Sequence, residues 1–221
     1  VSLKPDLIIS QHGPQTTQTE NLREMGFPVI CTQTKTYENL LEIYRAFGKI
    51  LHQEEKAAEI IGSLEEQKNS IIGRLPQEKK KIVILYVTSA SLAVKLNNSI
   101  AGDIAKMLGL KNIAADLPPD TIGSENTPLD IEYIVEENPD YVLVTSMIAD
   151  NETAVNTMET EFAANPAWKG VQAISQGRVL YLPQQYYLYN AGFYYGEAIE
   201  YMARGLYPEI YGTLEEWSIS Q

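Results

Sequence analysis

The residues of this 221-residue chain that could do chemistry collect in loops behind its predicted strands. His12 follows the first strand and could ligate a metal or hydrogen-bond a ligand. Lys35, Ser89 and Lys95 occupy later loops, and Met147 adds a soft thioether behind another strand. Ligands of open α/β sheets lie beyond the carboxyl ends of the strands, so these residues are predicted to contact one ligand. The alternatives for His12 and Met147 are an ordinary loop histidine and a gap-filling side chain.

Tyrosine is unevenly distributed, since nine of the 14 tyrosines lie between Tyr181 and Tyr211. The segment QQYYLYN, residues 184–190, follows a predicted strand and is interpreted as a polar loop. A tyrosine offers a large aromatic face with a hydroxyl group, and a phenolate can ligate haem or ferric iron. Helix packing is the alternative for the tyrosines further along the chain. Three side chains in this segment are therefore predicted to contact the ligand: Tyr186, Tyr187 and Tyr189.

The sequence lacks the common enzyme motifs. It contains no G-x-G-x-x-G, no G-x-x-x-x-G-K-[ST], no G-x-S-x-G and no H-E-x-x-H. Its two histidines lie well apart, so a multi-histidine metal site is poorly supplied, and no catalytic residue or catalytic cofactor is predicted. One rival hypothesis is an α/β enzyme acting on a tetrapyrrole or small metabolite, with His12 and a carboxylate as acid–base pair. A weaker one is an interaction module whose tyrosines lie in a protein interface.

Charge and hydropathy exclude several classes of partner. The formal net charge of −12 argues against nucleic acid or an anionic membrane surface, because both need basic patches. No apolar run approaches the roughly 18 residues that a membrane-spanning helix needs. Cys31 is the only cysteine, so no internal disulfide can form.

The elements that position these loops alternate between strand and helix patterns, which predicts an α/β protein with parallel sheets. Residues 54–75 carry apolar side chains at spacings of three and four, which predicts one long amphipathic helix. We interpret this helix as a spine between two lobes, with a single domain as the alternative. The predicted division is residues 1–53 for a partial N-terminal lobe with two strands, 54–75 for the spine, and 76–221 for a C-terminal lobe with three strands.

Two stretches of the second lobe are predicted to lack regular structure. Residues 88–98 are interpreted as a polar loop, and residues 117–128, rich in Pro, Gly, Ser and Asp, as irregular.

Thr36 is predicted to cap the helix that begins at Tyr37. Helix ends and turn residues thus set the expected boundaries of the elements.

The order of these pieces resembles the helical-backbone class of ABC-transporter substrate-binding proteins, which take up ferric siderophores, haem and vitamin B12. The resemblance covers nearly the whole chain and rests on these phrases in this order: VSLKPDLIIS, TPLDIEYIVEENPDYVLVTS, NPAWKGVQAISQGRVLYLP and a C-terminal GLYPE. It implies two α/β lobes bridged by one helix, with the ligand between them. A corrinoid-binding protein of the same class is an alternative to an iron-chelate or haem carrier.

The resemblance also implies partners and a location. Glu132, in PLDIEYIV, matches the C-lobe glutamate that pairs with an arginine of the membrane permease. The alternative for Glu132 is a favourable interaction with the dipole of its helix. The matching N-lobe glutamate would fall before Val1, so the first lobe is expected to lack its first strands, and dimerisation through that lobe is a possibility. The implied location is the periplasm, or the outer cell surface as a lipoprotein. Because arginine is scarce in the loops, the expected cleft is neutral and aromatic, suited to haem, a hydroxamate siderophore or a corrinoid.

Overall fold

The computed structural model describes residues 3–12, 16–148, 150–188 and 192–215. Its strands are β1 (Ile8–Gln11), β2 (Val29–Thr32), β3 (Lys81–Val87), β4 (Leu92–Lys95), β5 (Lys111–Asn112), β6 (Asn126–Pro128), β7 (Tyr141–Ser146) and β8 (Val179–Tyr181). Its α-helices are α1 (Thr16–Glu24), α2 (Tyr37–Ile50), α3 (Glu54–Ile72), α4 (Ile100–Met107), α5 (Ile131–Glu137), α6 (Asn151–Ala164), α7 (Gln172–Ser175), α8 (Gln184–Tyr187), α9 (Tyr195–Leu206) and α10 (Pro208–Tyr211). Two short 3-10 helices add Pro166–Gly170 and Gly192–Tyr194. The predicted α/β class is confirmed.

Helix beginnings follow the capping residues in the sequence. The Thr36 hydroxyl accepts a hydrogen bond from the backbone N–H of Asn39 at 3.2 Å, which confirms the predicted cap of α2. Ser99, Asp130 and Asp150 cap α4, α5 and α6 in the same way. Each cap satisfies an N–H that the first helical turn leaves without a partner. The predicted spine is confirmed as α3, which ends at Ile72, three residues before the predicted end.

The strands form two sheets, which α3 separates along the chain. β1 and β2 pair in parallel as a two-stranded sheet. The second sheet has the order β6-β4-β3-β7-β8, with β5 also paired to β3. β3, β7 and β8 are parallel, whereas β4 and β6 run antiparallel to their neighbours. The second sheet is therefore mixed, with a parallel centre.

Two sequence predictions about this sheet are wrong. The supposed polar loop at residues 88–98 contains β4, and the supposed irregular stretch at 117–128 ends in β6. Strand β4 has only four residues and pairs back on β3 through Leu85 and Val94. Segments this short carry too little local periodicity to be recognised, and their pairing with other strands decides their structure.

Strand β3 lies at the centre of the core because both of its faces are covered. Ile82, Val83, Ile84 and Leu85 have no exposed surface. Ile82 and Ile84 face a cluster built with α3, α4 and α9, while Val83 and Leu85 face a cluster that contains the fully buried Trp168. Successive side chains of a strand point to opposite faces, so a continuous apolar run is what a strand covered on both sides requires.

Helix α2 packs against the larger sheet's core as well as against α3. Its side chains Tyr37, Leu40 and Leu41 are buried in the same cluster as Ile84. The division of the chain at residues 53 and 75 stays a prediction. However, α2 shares a hydrophobic core with the residues that follow α3.

One carboxylate joins three helices. Oδ2 of Asp103, on α4, accepts hydrogen bonds from the backbone N–H of Tyr37 at 2.8 Å and from the hydroxyl of Tyr195 at 3.1 Å. Tyr37 and Tyr195 are the first residues of α2 and α9, and their rings meet edge to face with centroids 5.3 Å apart. Because a hydrogen bond to a charged acceptor is stronger than a neutral one, Asp103 fixes the relative position of these helix ends.

We expect Asp103→Ala to lower the free energy of unfolding by about 2 kcal/mol, because it leaves two donors without their charged acceptor. Urea unfolding followed by circular dichroism measures the change. Asp116→Ala is the matched control, since Asp116 is exposed. Equal effects of the two substitutions would contradict the role of Asp103.

Candidate ligand-binding site

Two lysines and a glutamate join the two sheets at the ends of their strands. Lys35, in the loop behind β2, places its Nζ 3.5 Å from Oε2 of Glu125. The other oxygen, Oε1 of Glu125, lies 2.5 Å from Nζ of Lys95 on β4. Glu125 directly precedes β6, where its backbone carbonyl accepts the N–H of Leu96 at 2.8 Å. The Glu125 carboxylate thus bridges two ammonium groups, one from the loop behind β2 and one from β4.

Lys95 is the buried member of this cluster, with 4% of its surface exposed. Its Nζ lies 4.0 Å from the centre of the Tyr86 ring, an arrangement in which the ring face attracts the cation. Burial lowers the pKa of the Lys95 ammonium, and the neighbouring Glu125 carboxylate opposes that shift. The backbone around Lys95 is also anchored, since the side chain of Asn112 donates to the Lys95 carbonyl at 3.1 Å.

The outer rim of the cluster contains Met147, directly behind β7. The Tyr86 hydroxyl donates to the Met147 sulfur at 3.1 Å, and Met147 is 60% exposed. At the surface the cluster offers the half-buried Lys35 ammonium and the exposed Met147 sulfur, while the Lys95 ammonium is buried beneath them. An ammonium beside a soft sulfur can contact an anionic or metal-bearing ligand.

The structure brings together three of the residues predicted from the sequence: Lys35, Lys95 and Met147. Two members of the cluster were missed. Tyr86 stands in a continuous apolar strand, and only its place near the carboxyl end of β3 could have indicated it. Glu125 lies in the stretch predicted to be irregular, and no local signal identifies it. Ligand contact by any of these residues stays a prediction.

Ser89 and His12 lie at other points of the strand ends. Ser89 is exposed in the turn between β3 and β4, where the Thr88 hydroxyl accepts the N–H groups of Ala90 and Ser91. His12 is exposed behind β1, and its backbone N–H donates to the Thr32 carbonyl at 2.8 Å. Within the described ranges, no group of three or more His, Cys, Asp or Glu side chains is placed to hold a metal ion.

The prediction of a polar loop at residues 184–190 is wrong for residues 184–187, which form α8. Tyr186 and Tyr187 lie on α8 and are 8% and 4% exposed. Their hydroxyls donate to Oε2 of Glu197 at 3.0 Å and to the carbonyl of Ala198 at 2.5 Å. Packing against α9 buries the rings and satisfies the hydroxyls within the protein. Tyr189 lies outside the described residues.

The buried phenol of Tyr186 makes the free energy of unfolding fall as the pH rises in the alkaline range. Burial, followed by the hydrogen bond to Glu197, raises the pKa of Tyr186 from 10.0 to about 12. The folded state therefore favours the neutral phenol, and this contribution is complete below pH 10 and is lost as the pH rises towards 12. We expect the free energy of unfolding to fall less steeply over that range in Tyr186→Phe than in the parent.

Urea unfolding at a series of pH values measures these slopes. Tyr194→Phe is the matched control, because the Tyr194 side chain is 59% exposed. If the free energy of unfolding fell equally with pH in the parent and in Tyr186→Phe, the alkaline loss of stability would not come from Tyr186.

The fold, in which one long helix separates two sheets along the chain, is that of a solute-binding protein. The periplasmic binding protein family matches residues 1–186, and the chain belongs to this family. The family is one of extracytoplasmic solute-binding proteins. Among the helices of the described ranges, none has both the length and the apolar character needed to cross a bilayer.

Comparison with individual proteins gives one curated relative. The chain is 26% identical over 183 residues to the Fe(3+)-citrate-binding protein YfmC of Bacillus subtilis (strain 168). That match covers 80% of this chain and 53% of the relative, so the chain spans about half the length of the curated relative.

Solved structures show the same fold at lower identity. An ABC-transporter substrate-binding protein from Listeria monocytogenes EGD-e has a TM-score of 0.83 at 21% identity, over 93% of this chain and 78% of that one. S. aureus IsdE complexed with heme has a TM-score of 0.79 at 18% identity, over 93% and 78% of the two chains. An Fe3+-hydroxamate transport protein from Saccharomonospora viridis DSM 43017 has a TM-score of 0.73 at 17% identity, over 93% and 70%. At these identities the likeness is one of fold.

Proposed function

We propose that this chain is the substrate-binding component of an ABC importer, which captures a ferric chelate outside the cytoplasm and delivers it to a membrane permease. The observation that carries the proposal is the cluster of Lys35, Glu125 and Lys95, which joins strand ends of both sheets in a member of the periplasmic binding protein family. The protein binds and releases its ligand without changing it.

The half-buried ammonium of Lys35 favours an anionic chelate, although the whole chain carries a formal charge of −12. The neutral, aromatic cleft expected from the sequence is not supported, because Tyr186 and Tyr187 are buried in the core. The name of the curated relative points in the same direction. Ferric citrate, a carboxylate-rich chelate, is therefore the proposed ligand ahead of haem, a neutral hydroxamate or a corrinoid.

Delivery to the permease is proposed to use Glu132. This residue is exposed in the first turn of α5, directly behind the capping Asp130. An exposed carboxylate on a short rigid helix is available to pair with an arginine of a membrane partner. Attachment to the cell surface by a lipid and dimerisation stay predictions from the sequence.

We expect ferric citrate to bind at one site and Lys35→Gln to weaken binding about tenfold, because a contact to a charged group contributes about 1.5 kcal/mol. Quenching of tryptophan and tyrosine fluorescence follows the titration. Lys56→Gln is the matched control, since it removes the same charge from an exposed pair with Glu59 on α3.

Other outcomes of this titration select other functions. Saturable binding of haemin, a neutral ferric hydroxamate or cobalamin with no binding of ferric citrate would contradict the anionic ligand class. The enzyme alternative requires product formation from a tetrapyrrole or small metabolite and a large loss of rate in His12→Ala. His12 is exposed behind β1, and this position does not favour the enzyme alternative.

We expect Glu132→Gln to leave ferric citrate affinity unchanged and to reduce uptake at least fivefold in cells that carry the cognate permease. Docking, rather than ligand binding, depends on this carboxylate. Glu136→Gln is the control, because Glu136 is exposed on the same helix. Unchanged uptake in Glu132→Gln would contradict the docking role.

A further inference from the structure

We propose that Glu125 is a specificity-determining residue of the chelate site: its carboxylate holds the place at Lys35 that a ligand carboxylate takes. This inference rests on the proposed function and deepens it. It predicts that the site discriminates by ligand charge, because only a ligand with its own carboxylate can replace Glu125 at Lys35.

The two ion pairs of Glu125 differ in strength. Oε1 lies 2.5 Å from Nζ of Lys95, whose whole residue is 4% exposed. Oε2 lies 3.5 Å from Nζ of Lys35, whose side chain is 32% exposed. Long, partly solvated ion pairs contribute little to stability, whereas a buried ammonium without a counter-charge is costly. Glu125 is therefore retained by Lys95 and can release Lys35.

The backbone restrains Lys95 more than Lys35. Lys95 belongs to β4, which is paired on both sides, to β3 and to β6. Glu125 is anchored next to it through the Leu96 N–H. Lys35 lies between β2 and α2, in a loop without strand or helix structure. The loop lysine is consequently the partner that can turn towards a ligand.

The exchange also connects the two sheets. The ion pair between Lys35 and Glu125 links the loop behind β2 to the segment that precedes β6. A bound polycarboxylate would replace Glu125 as the ion-pair partner of the Lys35 ammonium. The link between the sheets would then run through the ligand. A neutral chelate offers no carboxylate for Lys35 and leaves the original ion pair in place.

Isothermal titration of the parent, Glu125→Gln, Glu125→Asp and Lys35→Gln tests the proposal, with ferric citrate, iron-free citrate and a neutral ferric hydroxamate as probes. Glu125→Gln removes the competing carboxylate, and we expect it to bind ferric citrate about fivefold more tightly. Glu125→Asp keeps the charge beside Lys95 but withdraws it from Lys35, and we expect a smaller gain. Affinity for the hydroxamate should not change. Iron-free citrate distinguishes recognition of the carboxylates alone from recognition of the ferric chelate.

A double substitution separates this exchange from a purely structural role. In the Lys35→Gln background, adding Glu125→Asp should leave ferric citrate affinity unchanged, because no ammonium remains for which the two carboxylates compete. Thermal unfolding of each variant establishes that it is folded at the titration temperature. Should Glu125→Gln fail to fold, Glu125→Asp and the double variant give the same comparison.

The outcomes distinguish this inference from the proposed function. If the parent binds ferric citrate and Lys35→Gln weakens it, but the Glu125 variants bind it equally or more weakly, the function stands and the exchange is overturned. Equal gains for ferric citrate and for the neutral hydroxamate would also overturn it, since the discrimination would not depend on charge. If neither the parent nor any Glu125 variant binds ferric citrate, both proposals fail together.

Discussion

Complete burial of β3 on both of its faces is the constraint on which the rest of the structure depends. A strand without exposed surface at residues 82–85 needs helices above and below its sheet. The helices α3, α4 and α9 cover one face, and the Trp168 cluster covers the other. The lysine cluster lies at the ends of β4 and β6, beside Tyr86 of β3. Asp103 then fixes α2 and α9 against α4, so the loop that carries Lys35 enters the site from a defined direction.

The chemistry of the site follows from one buried ammonium. Lys95 lies in a strand at 4% exposure, and an ammonium in that position needs a counter-charge. Glu125 supplies it, and the second oxygen of that carboxylate reaches Lys35. The half-buried Lys35 ammonium gives this acidic protein a local contact for an anion. A structural requirement of the sheet and a proposed recognition device therefore use the same carboxylate.

The tyrosines show how composition can mislead about function. An aromatic cluster behind a strand has the residue types of a ligand cleft, yet Tyr186 and Tyr187 pack against α9 with their hydroxyls bonded within the protein. Tyr195 likewise contributes to the helix junction at Asp103. A tyrosine can satisfy both a hydrophobic core and a hydrogen-bond acceptor, so its abundance does not distinguish packing from recognition.

What the sequence determined by itself is the part of the structure that local forces decide. The continuous apolar run of β3, the periodic stripe of α3 and the cap at Thr36 each act within a few neighbouring residues, and each prediction is confirmed. The order of the pieces was enough to indicate the family. Only the tertiary structure decided that β4 and β6 are strands and that Lys35 meets Glu125. Those outcomes depend on hydrogen bonds between strands. They also depend on a charge contact between residues far apart in the chain, which no local pattern records.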